Sequence, residues 1–235
     1  ETLQKAFAFR GGTALQKLFF DPPTRYSEDI DLVQMNKEPI GKSIDAIRSL
    51  LDPWLGKPSW ELKKDRATVI YRFKSESLPQ KSMRLKIEIN TGEHFVILDL
   101  KKMKMQVDSP WFSGKTDILV YEIEELLGTK MRALYQRKKG RDLYDIDMAL
   151  EHFKKLNIDK VIKCFQGYMK HKKIAVTRAQ YEANLAEKLG SKIFLQDIVP
   201  LLAPGSPEFN VAKAGERFKN KFLSQLPGKP WKGKA

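Results

Sequence analysis

The chain has 235 residues, enough for one large domain or two modest ones, each with its own core. Its composition is that of a globular protein, 42% hydrophobic and 31% charged, with a formal net charge of +14. No run of about 18 uncharged apolar residues occurs and the opening residues lack a signal-peptide pattern, which excludes a membrane-spanning helix and makes a cytoplasmic location the expectation. The single cysteine, Cys164, rules out an internal disulfide and sits in the apolar pattern of Val161, Ile162 and Phe165. His94, His152 and His171 stand far apart, with no Cys or His at zinc-ligand spacing. Residues 1–121 hold 20 Lys/Arg against 16 Asp/Glu, and residues 122–235 hold 23 against 13, so the second half is the basic one. Such a surface suits a polyanion, nucleic acid before membrane; a solvated surface that only maintains solubility is the plainer alternative.

In chain order, Phe7–Phe9 reads as a short strand broken by Gly11-Gly12, after which Ala14, Leu15, Leu18 and Phe19 fall at helical spacing over residues 13–20. Asp21-Pro22-Pro23 stops that helix, and Ile30, Leu32 and Val33 predict a second strand. Residues 43–55 read as a helix with Ile44, Ile47, Leu50 and Leu51 inward. Strands are expected over residues 68–73, 84–90 and 95–100. In the middle one Leu85, Ile87 and Ile89 share one face and Arg84, Lys86, Glu88 and Asn90 the other. Residues 117–121 read as a last strand or extended connection. From residue 122 the period becomes helical, with helices expected over 122–138, 142–155, 158–170, 178–189 and 207–224, the last started by Ser206-Pro207-Glu208. The expected division is therefore a mixed α+β domain over 1–121 and a basic helical domain over 122–235.

Asp29 and Asp31 lie two apart on a strand and share a face while Ile30 and Leu32 turn to the core. Carboxylates that close repel and raise one another's pKa unless a cation stands between them, and a hard divalent ion takes such oxygen ligands. Glu88, on the polar face of another alternating strand, is a candidate third ligand. An isolated Asp-x-Asp is ordinarily a wet sheet edge. Here it follows a Gly-Gly turn between strand and helix, where backbone N–H groups can bind phosphate and glycine allows close approach. Arg10 and Arg25 flank the stretch as candidate phosphate clamps.

The segments "FRGGTALQKLFF" and "RYSEDIDL" resemble the opening motif of the AbiEii/AbiGii nucleotidyltransferase toxins, the group that includes the MenT-type members, within the DNA polymerase beta-like nucleotidyltransferase superfamily. The resemblance implies a nucleotidyltransferase-type mixed β-sheet core followed by a helical C-terminal domain. It assigns Gly11, Gly12 and Thr13 to the phosphate-binding turn, Asp29 and Asp31 to the metal, Glu88 in "LKIEIN" to the third carboxylate, and Ser27 to the serine before the acidic pair. In "EIEELLGTKMRALYQRKKGRDLYDID", Lys130 shares a helical face with Ile123, Leu127 and Leu134 and needs an anion unless it snorkels to the surface. The resemblance directs Lys130 to the nucleotide triphosphate and matches Arg141-Asp142 to a family Arg-Asp pair; Asp142 and Asp145 could equally cap the helix after Gly140. This chain departs from the family in three places. Arg10 replaces a lysine, the spacer from Gly12 to Asp29 is long, and the helical segment that often precedes the first strand has no counterpart in the opening residues of a sequence that starts without methionine.

The implied activity is transfer of a nucleotide from an NTP, with Mg2+ or Mn2+ on Asp29, Asp31 and Glu88, to an acceptor for which RNA, the tRNA 3' end in particular, is the expectation. A protein or small-molecule hydroxyl stays open as acceptor, as does a non-catalytic module that binds NTP or RNA. Resemblance to a toxin of a type IV-like toxin-antitoxin or phage-defence system further implies a cognate antitoxin.

Overall fold

Alternating apolar residues build the first half. In Ser82–Asn90 (β5), Ile87 and Ile89 are buried, and they pack with Ala67, Val69 and Tyr71 of Arg66–Lys74 (β4). The computed structural model describes residues 2–233, and the chain divides into two compact units, Glu1–Phe19 with Ser27–Glu122, and Phe20–Tyr26 with Ile123–Ala235. The α+β class expected from the sequence holds. The boundary lies one residue beyond the expected one, and Phe20–Tyr26 belongs to the helical unit.

In the first unit the remaining strands are Phe7–Arg10 (β1), Asp29–Gln34 (β2), Ser59–Lys63 (β3), Leu100–Asp108 (β6) and Ser113–Tyr121 (β7). Together they form one seven-stranded sheet in the order β3-β4-β5-β2-β1-β7-β6. The pairs β1 with β7 and β2 with β5 are parallel and the others antiparallel, so the sheet is mixed. Gly41–Leu55 (α3) lays Ile44, Ile47 and Leu55 on one face of this sheet, against which Ile30 and Leu32 also pack. The odd-numbered residues of β2 and the even-numbered residues of β5 are thereby turned to the opposite face.

Four sequence expectations are corrected in this unit. The run at residues 95–100 is loop up to Leu100, because Phe95 to Leu98 are all half-buried with no alternation of faces, and the Asn90 side chain accepts from the Gly92 and Glu93 N–H groups to turn the chain out of β5. The strand in that region is β6, whose Lys101, Lys102 and Lys104 obscured the half-buried Met103, Met105 and Val107. Exposed along its whole length at the sheet edge, β3 carries no burial pattern to read. A five-residue helix, Thr2–Ala6 (α1), does precede β1.

The second unit holds Ile123–Gln136 (α4), Gly140–His152 (α5), Ile158–His171 (α6), Arg178–Leu189 (α7), Lys192–Gln196 (α8) and Val211–Lys221 (α9). The last of these starts at residue 211 rather than 207. Its N-cap is Asn210, whose side chain accepts from the Lys213 N–H, a bond the Ser206-Pro207-Glu208 segment does not make. Thr177 and Gln180 form a capping box at α7. Helices α4 and α6 meet at Gly128, where an added Cβ would lie 2.5 Å from the Cys164 Cβ and 2.9 Å from the Phe165 backbone N. Cys164 is thus a buried packing residue.

Overpacking at that crossing gives a direct check. Gly128→Val is expected to cost at least about 1–3 kcal/mol in urea denaturation, whereas Lys163→Ala on the exposed face of α6 should stay within about 0.5 kcal/mol. Equal shifts would contradict the close approach of α4 and α6.

Candidate active site

Backbone register brings the acidic residues together on the polar face of the sheet. Arg10 pairs with Asp31, Asp31 with Glu88, and Glu88 with Thr68, a single row running across β1, β2, β5 and β4. Asp29 lies two residues along β2, beside Lys86. The strand passes into a helix at Gly11, where φ is +76° and Gly11–Ala14 (α2) begins, continued by a π-helical turn at Leu15–Phe19. A Cβ on Gly11 would lie 2.0 Å from Asp31 Oδ2 and 2.7 Å from its Cβ, so the carboxylate stands directly over the turn and only glycine fits. The Thr13 hydroxyl donates to the Asp29 carbonyl, tying α2 to the start of β2. With its proton used there, Thr13 Oγ1 is left to accept from Ser27 Oγ at 2.8 Å.

The expected repulsion among the carboxylates is answered by a lysine. Lys86 Nζ lies 3.3 Å from Asp29 Oδ2 and 3.0 Å from Glu88 Oε1. Burial opposes its charge, but Glu88 and Asp29 outweigh burial and hold its pKa above the ordinary lysine value. Arg84 and Arg66 approach at longer range, 3.9 Å from Asp29 and 3.7 Å from Glu88. Asp29 Oδ1 is buried and has no hydrogen-bond partner among the described residues. Among those residues no three His, Cys, Asp or Glu side chains converge into a ready metal cage. The donors nonetheless fit a hard divalent cation, being carboxylate oxygens of which one, Asp29 Oδ1, is buried, accepts no hydrogen bond among the described residues and has Arg84 no nearer than 3.9 Å. Arg10, a candidate phosphate clamp, donates from Nη1 to the buried Glu93 Oε2 at 2.8 Å.

Lys130, Asp142 and Arg25 lie in the second unit, where they belong to one buried network. Lys130 Nζ reaches Asp142 Oδ1 at 3.2 Å and Asp145 Oδ2 at 2.8 Å. Arg137 grips Asp142 through two N–H groups at 2.7 and 2.9 Å, and Arg25 grips Asp145 through two at 2.7 Å each. Arg25 also donates to the Tyr26 carbonyl, and its side chain is 2% exposed, so it is a buried strut and not a free phosphate clamp. Segment Thr24–Tyr26 is further held by the Tyr144 hydroxyl on the Thr24 carbonyl and by the Tyr26 N–H on the Leu201 carbonyl. Burial alone would raise the pKa of both aspartates, but Lys130 with Arg137 at Asp142, and Lys130 with Arg25 at Asp145, hold both below the ordinary aspartate value. The anion that the apolar stripe of Lys130 demanded is therefore this pair. Helix capping does not account for either aspartate, since α5 has no side-chain cap.

The sequence reading missed Lys86 and Glu93 as site residues. Lys86 was legible, since it lies two residues before Glu88 on an alternating strand; Glu93, in an irregular loop, carried no signal.

The family model for the nucleotidyl transferase AbiEii toxin, type IV toxin-antitoxin system, matches residues 1–222. The chain belongs to that family. It is accordingly a nucleotidyltransferase of the AbiEii toxin group. Among solved structures, the AbiEii chain is similar to MenT4, a nucleotidyltransferase toxin from Mycobacterium tuberculosis H37Rv, with a TM-score of 0.63 and 15% identity over 94% of this chain and 76% of that one. At that identity the likeness concerns the fold. No curated protein matches significantly. Among the described residues no helix is long and apolar enough to cross a membrane.

The buried network sets an acid limit on the AbiEii chain's helical unit. Since the folded carboxyls of Asp142 and Asp145 titrate below their unfolded values, their contribution is complete above about pH 4 and is lost as pH falls through the folded values. Lys130→Met, which strips both aspartates of a buried partner, is expected to cost about 3–5 kcal/mol at pH 7 and less at pH 3. Urea midpoints at the two pH values check this, and a cost that grows on acidification would contradict the assignment.

Proposed function

We propose that the protein is a metal-dependent toxin that transfers a nucleotide from an NTP to RNA, with the tRNA 3' end as the favoured acceptor. The observation that carries this reading is the Asp31 carboxylate standing over Gly11 with no room for a Cβ, in one row with Glu88 and two residues along β2 from Asp29, whose buried Oδ1 accepts no hydrogen bond among the described residues. The Gly11-Gly12 turn offers backbone N–H groups to the triphosphate, with the Thr13–Ser27 hydroxyl pair fixing the turn against β2. Asp29, Asp31 and Glu88 would hold Mg2+ or Mn2+, which when bound supplies positive charge to the phosphates and to the pyrophosphate that leaves. Most of the rate would then come from positioning and electrostatics.

Surface charge supports RNA as the acceptor. Lys154, Lys155, Lys163, Lys170, Lys172 and Lys173 are all exposed in the helical unit, as are Lys213, Lys219 and Lys221 on α9. An RNA backbone would be drawn to such a surface with an affinity that falls steeply as salt rises. A cognate antitoxin would be the protein partner, as membership of a type IV toxin-antitoxin family implies.

Incubation with total RNA, Mg2+ and each labelled NTP in turn tests the reading. Label should enter tRNA with a preference for some NTPs, vanish with a chelator, and fall at least about 100-fold with Asp29→Ala, whose circular dichroism should match the wild type. Undiminished transfer by Asp29→Ala, or label on protein or a small molecule alone, would overturn respectively the metal site and the acceptor.

A further inference from the structure

Lys86 occupies an unusual place for a lysine. It is on the same face of β5 as Glu88, directly beside Asp29 in the strand register, and its ammonium is shared by both carboxylates at 3.3 and 3.0 Å. Its side chain is 23% exposed, so it is not a long arm waving in solvent. The apolar stem runs along a half-buried sheet face, while the charge is drawn in by acids on two different strands. Arg84 and Arg66 stand farther off, at 3.9 Å from Asp29 and 3.7 Å from Glu88, so Lys86 is the nearest cation that both acids share.

From this arrangement we infer that Lys86 is a tethered counter-ion that competes with the divalent metal for Asp29 and Glu88 and yields its place when the metal binds. The inference rests on the metal reading of those carboxylates given above. Its physical basis is exclusion by charge. An ammonium and a divalent ion on the same oxygens repel strongly in a partly buried setting, so both cannot hold Asp29 and Glu88 at once. A lysine stem has the rotatable bonds to swing the head away without moving the backbone. Metal affinity is then reduced by the work of displacing the ammonium, and the acids are kept neutralised until that exchange occurs. The lysine thus guards Asp29 and Glu88.

Two readouts separate this role from ordinary packing. Mn2+ binding to the full chain, followed through the electron paramagnetic resonance signal of free Mn2+, should tighten at least about tenfold in Lys86→Met, stay near wild type in Lys86→Arg, and be lost in Asp29→Ala. In thermal melts without added metal, Lys86→Met should unfold at a lower temperature than wild type because Asp29 and Glu88 lose their shared cation, and it should gain more from saturating Mn2+. If Lys86→Met fails to give a wild-type circular dichroism spectrum, Lys86→Gln serves in its place. Unchanged or weaker Mn2+ binding on removing the charge, with binding intact in wild type, overturns the competition alone. Failure of wild type and variant alike to bind Mn2+ overturns the metal reading and the competition with it.

Discussion

Crowding of negative charge on one sheet face is the constraint on which the site depends. Parallel pairing of β2 with β5 places Asp31 beside Glu88 and Asp29 beside Lys86, and no side-chain rotation can separate residues fixed by backbone register. Carboxylates held that close raise the free energy of the fold unless cations answer them. Lys86 answers two of them within the chain, and a divalent ion with a triphosphate is the answer that would perform work. The same sheet face turns its back on the core, so the charge is partly solvated and its cost is tolerable. Ile30, Leu32, Ile87 and Ile89, one residue out of phase, anchor the arrangement from the other side.

A second constraint of the same kind organises the helical unit. There the acids are fully buried and their partners are complete, with Lys130 common to Asp142 and Asp145 and an arginine closing each carboxylate. The two clusters differ in a way that matters for function. The carboxylates of the sheet keep an unsatisfied oxygen and partial exposure, features of a place where a ligand can enter. Those of the helices are fully buried and each is held by Lys130 and an arginine, features of a scaffold. Arg25 shows the distinction well: beside the acidic motif in sequence, it serves the scaffold.

Much of this was legible in the chain. Period-two alternation puts Asp29 with Asp31 and Ile87 with Ile89 without any knowledge of pairing, and the Gly-Gly break marks where a strand becomes a helix. The need of Lys130 for an anion was also legible, because a lysine within an apolar stripe demands one. Its partners were less so, and Arg25 least of all, since Asp145 lies 120 residues away and nothing local announces the pair. The strands β3 and β6 escaped for a physical reason. Edge strands bury little: β3 is exposed throughout, and the alternation of β6 is shallow, half-buried at Met103, Met105 and Val107 and covered in sequence by its lysines. The apolar run before β6 misled in the opposite sense, being a half-buried loop with no alternation of faces.

The central claim is that the acidic row and the glycine turn form one site for metal and triphosphate. Anomalous scattering from crystals of the full chain soaked with Mn2+ and a non-hydrolysable NTP analogue tests it most directly. The account predicts a Mn2+ peak within coordination distance of Asp29 and Asp31, with triphosphate density on the Gly11-Gly12 backbone. A metal peak elsewhere with Asp29 still paired to Lys86, or triphosphate density away from that turn, would contradict it.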